Sequence, residues 1–384
     1  MSKVRSLLIA LCIGAPLAAS SALAQKPFQV EQRWVIGGDG GWDYLTVDSS
    51  AHRLYIAHQT KVDVVDTTTG KAIGSIDGLT RCHGIVILPD GKTGFISDGG
   101  ANNVVVFDTT SLATLAKIPA GTNPDGMVLE RSTGTLWAFN GTSHNATVID
   151  VNQRKAIGLV ALPGKPEFPV TDDKGTVFVN IEDKNSVVRL DAKAQKVTAT
   201  WPLAGCESPS GQSFDRAAGR LFAVCDGNKM AVTDIHTGKS LATPTIGADP
   251  DATSFDPKSK LVFSSNGDGT MTVIDTAKPG FPVVQNLTTM KGARTMTFDA
   301  ATGKLYTVTA KFSPNPAPAT PGHKSRPIPS RHLHRPGRRP LGYFIPFSLR
   351  YGQDDLLSAS RWSAASIFET GYPAHAQLYR TWAG

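Results

Sequence analysis

Catalytic signatures, amphipathic helices and long apolar runs are nearly all missing from these 384 residues. GxSxG, HExxH, CxxC and a GxGxxG set between strand and helix do not occur, which removes the usual serine-hydrolase, zinc-protease, zinc-ribbon and dinucleotide-binding readings. No catalytic residue is therefore assigned. Between residues 30 and 310 no apolar pattern holds helical spacing long enough to build a packing helix, which excludes bundles and helical solenoids. After residue 24 no apolar run is long enough for a membrane-spanning helix. Four cysteines are too few for a disulfide scaffold. Aromatic residues make up 8% of the chain, little material for stacking successive nucleic-acid bases.

Charge is also lacking where it would matter. The chain is formally +7 with a pI near 9.2, yet residues 25–314 carry 28 Lys and Arg against 29 Asp and Glu. The basic excess sits in residues 1–24 and 315–384, the latter with 9 basic and 3 acidic residues. A near-neutral central region gives no global warrant for phosphate-backbone binding.

What is present is a repeat. Residues 253–295 hold a short strand ending at Asp256, a polar turn, the alternating run Lys260–Ser264, a glycine-rich hairpin, a third strand MTVID and a fourth, PVVQNL. The aspartate closing the third strand recurs as Asp66, Asp108, Asp150, Asp191, Asp234 and Asp275, at separations of 42, 42, 41, 43 and 41 residues. A four-strand unit with this period cannot bury both faces alone and predicts the blades of a β-propeller. Inner strands recur seven times, from YLTVD ending at Asp48 to TMTFD ending at Asp299. The expected fold is all-β, a seven-bladed β-propeller over residues 25–312.

The ends of the chain read differently. Residues 1–24 place Lys3 and Arg5 before an apolar run closing in Ala22-Leu23-Ala24, the pattern of a signal peptide, so the expected location is periplasmic or secreted. FQVEQRWVI, residues 28–36, is a lone strand that should complete the last blade from the opposite chain end. That blade has strands one and two, and after Phe312 the composition turns to Pro, Arg and His with no third strand. Read one base later, the codons for residues 332–340 permit an alternating strand-like peptide. A single-base frameshift near residues 312–330 is the expectation, leaving the last blade incomplete and residues 313–384 out of frame or disordered.

Antiparallel alternation puts the loop before each inner strand and the hairpin between strands two and three on one face. The opposite face carries turns such as DTTTGK, read as Asx-turn punctuation. The first face gathers Trp42, Asp43, Tyr44, Arg81, His83, Asp125, Glu167, Phe168, Glu207, Asp251 and Arg294, with His58, Asp98, Asn140, Glu182, Asp226 and Asn266 in the hairpins. Carboxylates, an imidazole, guanidinium groups and aromatics converging on a channel mouth predict a site for a cation, a polar small molecule or a polymer. Asp43, His83 and Asp125 are a candidate metal site that no ligand spacing supports, so neither metal nor cofactor is assigned. Cys206 precedes the first strand of one blade and Cys225 ends its second, at the same end of an antiparallel pair. A disulfide between them is predicted; Cys12 leaves with the signal and Cys82 stays a buried free thiol.

With GGDGGWDYLTVD, the HGI after Cys82, NPDG, KPEF, VNIEDK, CESPSG, SSNGDGT and GARTM beside VxVIDxxTGK repeats, the chain resembles the exported YncE-like, YVTN-repeat β-propellers. The resemblance implies a periplasmic or secreted seven-bladed propeller and little about its role; the residues of the channel-mouth face are what predict a non-enzymatic binding protein, holding a small molecule or protein partner there. Relatives linked to single-stranded DNA, lactone hydrolysis and quinoprotein dehydrogenases keep nucleic-acid binding and an enzyme as alternatives. Fold analogy alone does not choose among them.

Overall fold

Short runs of alternating residues, each closed by a turn, pair antiparallel into four-stranded sheets. The computed structural model describes residues 27–38 and 40–310 and the backbone of Gly342–Ser348. Six four-stranded blades follow in chain order, each built from the channel outwards. Blade 1 runs Leu45–Asp48, Arg53–His58, Lys61–Asp66, Ala72–Asp77, and the inner strands of blades 2 to 6 are Cys82–Ile87, Pro124–Glu130, Pro166–Thr171, Gln212–Asp215 and Pro250–Asp256. The chain is an all-β propeller, with two three-residue 3-10 turns, Gly99–Ala101 and Glu182–Lys184, as the helical content of the described residues.

A further sheet starts with Thr295–Asp299 and Lys304–Ala310 and lies between blades 6 and 1. Met296 and Leu305 pack with Phe263 and Val273 of blade 6, while Tyr306 and Val308 pack with Leu45 and Leu54 of blade 1. Gly342–Ser348, assigned to the tail on sequence, pairs with Lys304–Ala310 on one edge and with Gln29–Val30 and Trp34–Val35 on the other. A strand thus pairs at the third-strand position expected to be empty. Residues 1–26 and the rest of the tail, where the signal-peptide and frameshift readings fall, lie outside the described residues.

The core is divided among the gaps between sheets. The second and third strands bury both faces, so Tyr55, Trp137, Phe222 and Phe263 are fully enclosed between neighbouring blades. Burying such a side chain stabilises by about 1.5–3 kcal/mol, and the summed gaps hold the ring closed. Outer strands alternate instead, as in Lys196–Pro202 with every second residue exposed.

The recurrent aspartates close their strands by hydrogen bonding to backbone. Asp66 Oδ1 accepts from Thr68 N and Thr69 N at 2.9 and 2.7 Å, and Asp108, Asp150 and Asp234 repeat the pattern. This is the Asx turn expected on that face. Backbone amides of Thr69 and Ser111, and the hydroxyl and amide of Thr237, hold Asp66, Asp108 and Asp234 below the ordinary carboxylate range.

The inner strands carry the feature that shapes the channel mouth. Their pairing shifts register between Cys82 and Ile85, Pro124 and Met127, Pro166 and Pro169, and Pro250 and Ala252. Each shift is a β-bulge, which bends the strand and re-aims the side chains within it. Glycines let neighbouring bulges nest. A Cβ on Gly84 would lie 2.7 Å from Asp125 O, one on Gly126 2.7 Å from Glu167 O, and one on Gly211 2.5 Å from Asp251 O.

Gly126→Ala is expected to lower stability by about 1–3 kcal/mol through overpacking, read from denaturant midpoints. Gly41→Ala, whose Cβ would meet nothing closer than 3.6 Å, should stay near wild type; equal effects would remove the nesting argument. The depressed aspartates make a second prediction. Their stabilisation is complete above the unfolded aspartate pKa of about 3.9 and is lost as pH falls through the lower folded values. Between pH 5 and 2.5 the melting temperature should drop less steeply in the Asp66→Asn, Asp108→Asn, Asp234→Asn variant, since Asn keeps an acceptor oxygen but does not titrate.

Candidate functional site

The bulge residues and the loops before them build one basin at the channel mouth. His83, Asp125, Glu167, Phe168 and Asp251 come from bulges, Trp42, Asp43 and Tyr44 from the loop before blade 1, Arg81 from that before blade 2, and Arg294 from that before Thr295–Asp299. Some 720 Å³ of space lies among them, counted to the open mouth. His83 and Glu167 thus share one rim.

Two rings form part of its lining. Tyr44 reaches across from blade 1 and stacks on Phe168 of blade 4 with centroids 5.0 Å apart. Blades 1 and 4 are not neighbours, so the stack spans the channel mouth.

Around the stack stand charged groups in close order. His83 Nδ1 lies 2.6 Å from Asp43 Oδ2 and 3.8 Å from Asp125 Oδ1. Lys165 Nζ pairs with Glu167 Oε1 at 2.6 Å and also with Glu182. Arg294 faces Asp249 and Asp251, each at 3.6 Å. Counting Glu182 and Asp249 just outside the lining, six carboxylates meet three permanent cations, Arg81, Lys165 and Arg294, and one imidazole.

Burial and this crowding move the titrations. Burial pushes Glu167 well above the usual carboxylate range, and the Asp125 charge adds to it. Asp125 is raised by burial and by Asp43, against the pull of His83. Burial alone would lower His83, but Asp125 and Asp43 outweigh it and raise its pKa. Tyr44 is raised by burial and by four surrounding carboxylates. Each shift has the same origin, negative charge held close in a partly desolvated cup.

Of the sequence candidates, Glu207 does not line the basin. It is exposed, and its backbone bridges Asp226 beside the Cys206–Cys225 disulfide, whose Cα atoms are 5.2 Å apart. The hairpin candidates also fall outside the lining and hold the loops. Asp98 accepts from Thr80 N and Arg81 N at 2.9 Å, Asn140 binds Asn145 and Thr147, and Asn266 binds Thr270 and Thr272. His58 stacks on Trp42 at 4.6 Å and pairs with Asp63. Cys82 is a buried free thiol, pushed by burial to about 12.

Sequence reasoning missed Lys165, Asn123 and Ser210 in the lining. Lys165 carried a readable signal: it stands in KPEF, the loop entering the blade that also holds Glu167. Asn123 and Ser210 stand in the entry loops NPDG and ESPSG of the same face, but neither residue was singled out.

No protein-family profile and no curated protein sequence matches this chain. Solved structures do. A chain of Kuenenia stuttgartiensis hydrazine synthase is similar with a TM-score of 0.64 at 15% identity, over 71% of this chain and 94% of that one. U3-55K is similar with a TM-score of 0.66 at 10% identity, over 83% of this chain and 100% of that one. The WD40 repeats of RRP9 give 0.67 at 11% identity, over 84% of this chain and 99% of that one. At such identities the likeness establishes the propeller fold, with WD40-like structural neighbours, and no shared activity.

Proposed function

We propose that this chain is an exported, seven-bladed, YncE-like propeller that binds a small, positively charged ligand in the channel-mouth basin. The observation carrying the ligand reading is the charge imbalance of the basin, six carboxylates against three permanent cations and one imidazole. A partly desolvated cup with surplus negative charge gains most from an incoming cation. Seven blades are supported by the sheet of Thr295–Asp299 and Lys304–Ala310 lying between blades 6 and 1. Export is supported by the Cys206–Cys225 disulfide and by the signal-like residues 1–24. No described helix is long and apolar enough to cross a membrane.

Binding is favoured over catalysis by the orientation of His83. Its Nδ1 is taken by Asp43, and its Nε2 is buried against the hairpin glycine Gly99, not turned toward a nucleophile. Stacking of single-stranded bases is disfavoured because Tyr44 and Phe168 turn a face of each ring to the other.

Isothermal titration with choline and with putrescine should show saturable binding, and citrate should show none. Glu167→Gln should weaken the cations about tenfold, the loss of roughly 1.4 kcal/mol. Because Asp125 and Glu167 are raised, cation binding should fall with decreasing pH from above the ordinary glutamate value of about 4.3. Citrate binding as tightly as the cations, or affinities indifferent to Glu167→Gln, would overturn the reading.

A further inference from the structure

We propose that Asp43, His83 and Asp125 form a site for one divalent transition-metal ion, of the zinc or manganese kind, on the wall of the basin. The inference rests on the reading that the basin takes positive charge, and assigns part of that charge to a metal ion. One ligand atom from each of the three lies within 4.8 Å of the other two. Zinc bound at about 2.0–2.2 Å holds its protein ligands roughly 3–4 Å apart. The observed 2.6 Å between Nδ1 and Asp43 and 3.8 Å between Nδ1 and Asp125 bracket that spacing. A metal ion would replace the proton that now joins His83 to Asp43.

Two further observations point to a ligand. Asp125 accepts no hydrogen bond on its carboxylate among the described contacts, though its side chain is 16% exposed; its partner there is the imidazole at 3.8 Å. The second is the far side of His83. The residue is 4% exposed and its Nε2 has no hydrogen-bond partner. A histidine ligating through Nδ1 carries its proton on Nε2 and needs an acceptor behind it. Nε2 and Asn123 Oδ1 both converge on Gly99, 2.9 and 2.6 Å from the position a Cβ would occupy. Both atoms therefore lie against Gly99, and the Asn123 amide oxygen is the acceptor that Nε2 would use in the metal-bound tautomer.

The donor set narrows the metal. One imidazole with two carboxylates is a nitrogen and oxygen site, suited to zinc or manganese and poorer for copper(I), which prefers thiolate and thioether. Three protein ligands leave coordination positions open toward the basin, as in sites that also bind water or a ligand.

The test is titration of the full-length, chelator-treated protein with Zn²⁺ by calorimetry, checked by elemental analysis after dialysis. The expected result is one saturable equivalent, weakened at least about tenfold in Asp125→Asn and in His83→Gln. Asp43→Asn serves as a third variant should either fail to fold. Co²⁺ should show visible ligand-field bands in the wild type that vanish in Asp125→Asn. His236→Ala removes an exposed histidine on the opposite face and should change nothing. No saturable Zn²⁺ binding, binding indifferent to Asp125→Asn, or binding lost with His236→Ala would each overturn the metal site. Choline titrated into the same samples separates the two readings: choline binding without zinc overturns the metal alone, and neither binding overturns both.

Discussion

The basin depends on how closely one inner strand can approach the next. Where the bulge of one blade meets its neighbour, a glycine of the earlier blade faces the carbonyl of the residue whose side chain enters the basin. Gly84 faces Asp125, Gly126 faces Glu167 and Gly211 faces Asp251. Any side chain at these glycines would force the strands apart and swing the carboxylates away from each other. The contact is also polar. Ser97 Oγ accepts from Gly84 N at 2.8 Å and donates to Asp125 O at 2.6 Å, while Ser210 Oγ donates to Asp251 O at 3.2 Å. The same atoms that close the ring aim the site, so the site is as rigid as the ring.

That rigidity explains how the basin tolerates its own electrostatics. Two carboxylates free to move would separate until water screened them; Asp125 and Glu167 are fixed by backbone packing, so Asp43 raises Asp125 and the Asp125 charge raises Glu167 instead. Lys165 and Arg294 relieve part of the repulsion, but each is divided between a basin carboxylate and one outside it. What remains is a negative field in a cup where water is partly excluded, the condition in which a bound cation interacts most strongly.

How much of this was legible in the sequence follows from which constraints are local. The spacing of Asp66, Asp108, Asp150, Asp191, Asp234 and Asp275 is visible because each blade must end its third strand in the same turn, and the side chain that makes the turn is the same. The Cys206–Cys225 pair was visible because antiparallel pairing puts both at one end of two adjacent strands. The meeting of His83 with Asp43 and Asp125 was readable as a grouping of three candidate ligands on one face but not as a distance, since it depends on bulges at His83 and Asp125 that no residue type announces. The segment Gly342–Ser348 was readable only as tail residues, IPFSLRY among them, that could satisfy the N-terminal strand; its place beside Lys304–Ala310 was not, because its proline and lack of blade punctuation mark it as outside the repeat. Its backbone groups meet an open sheet edge, and pairing there needs no blade motif.

The hairpin residues show why a polar residue on the right face is not yet a site residue. Blades 2 to 6 each tie the loop before the inner strand to their own hairpin, with the chemistry at hand. Blade 2 uses the Asp98 carboxylate on Thr80 N and Arg81 N, blade 3 the Ser143 hydroxyl on Thr122 N, blade 4 Asp183 on Lys165 N, and blade 6 Asp268 on Ala248 N. Blade 5 uses the disulfide, closing a loop of 19 residues and adding about 3 kcal/mol in the chain-entropy account. A carboxylate that already accepts two backbone amides gains little from a ligand, whereas one that accepts none gains much. By that criterion Asp98 and Asp125, both aspartates on the channel-mouth face, belong to different functions: the first holds the loop that carries Arg81, and the second faces the basin beside the His83 imidazole, its carboxylate accepting no hydrogen bond among the described contacts.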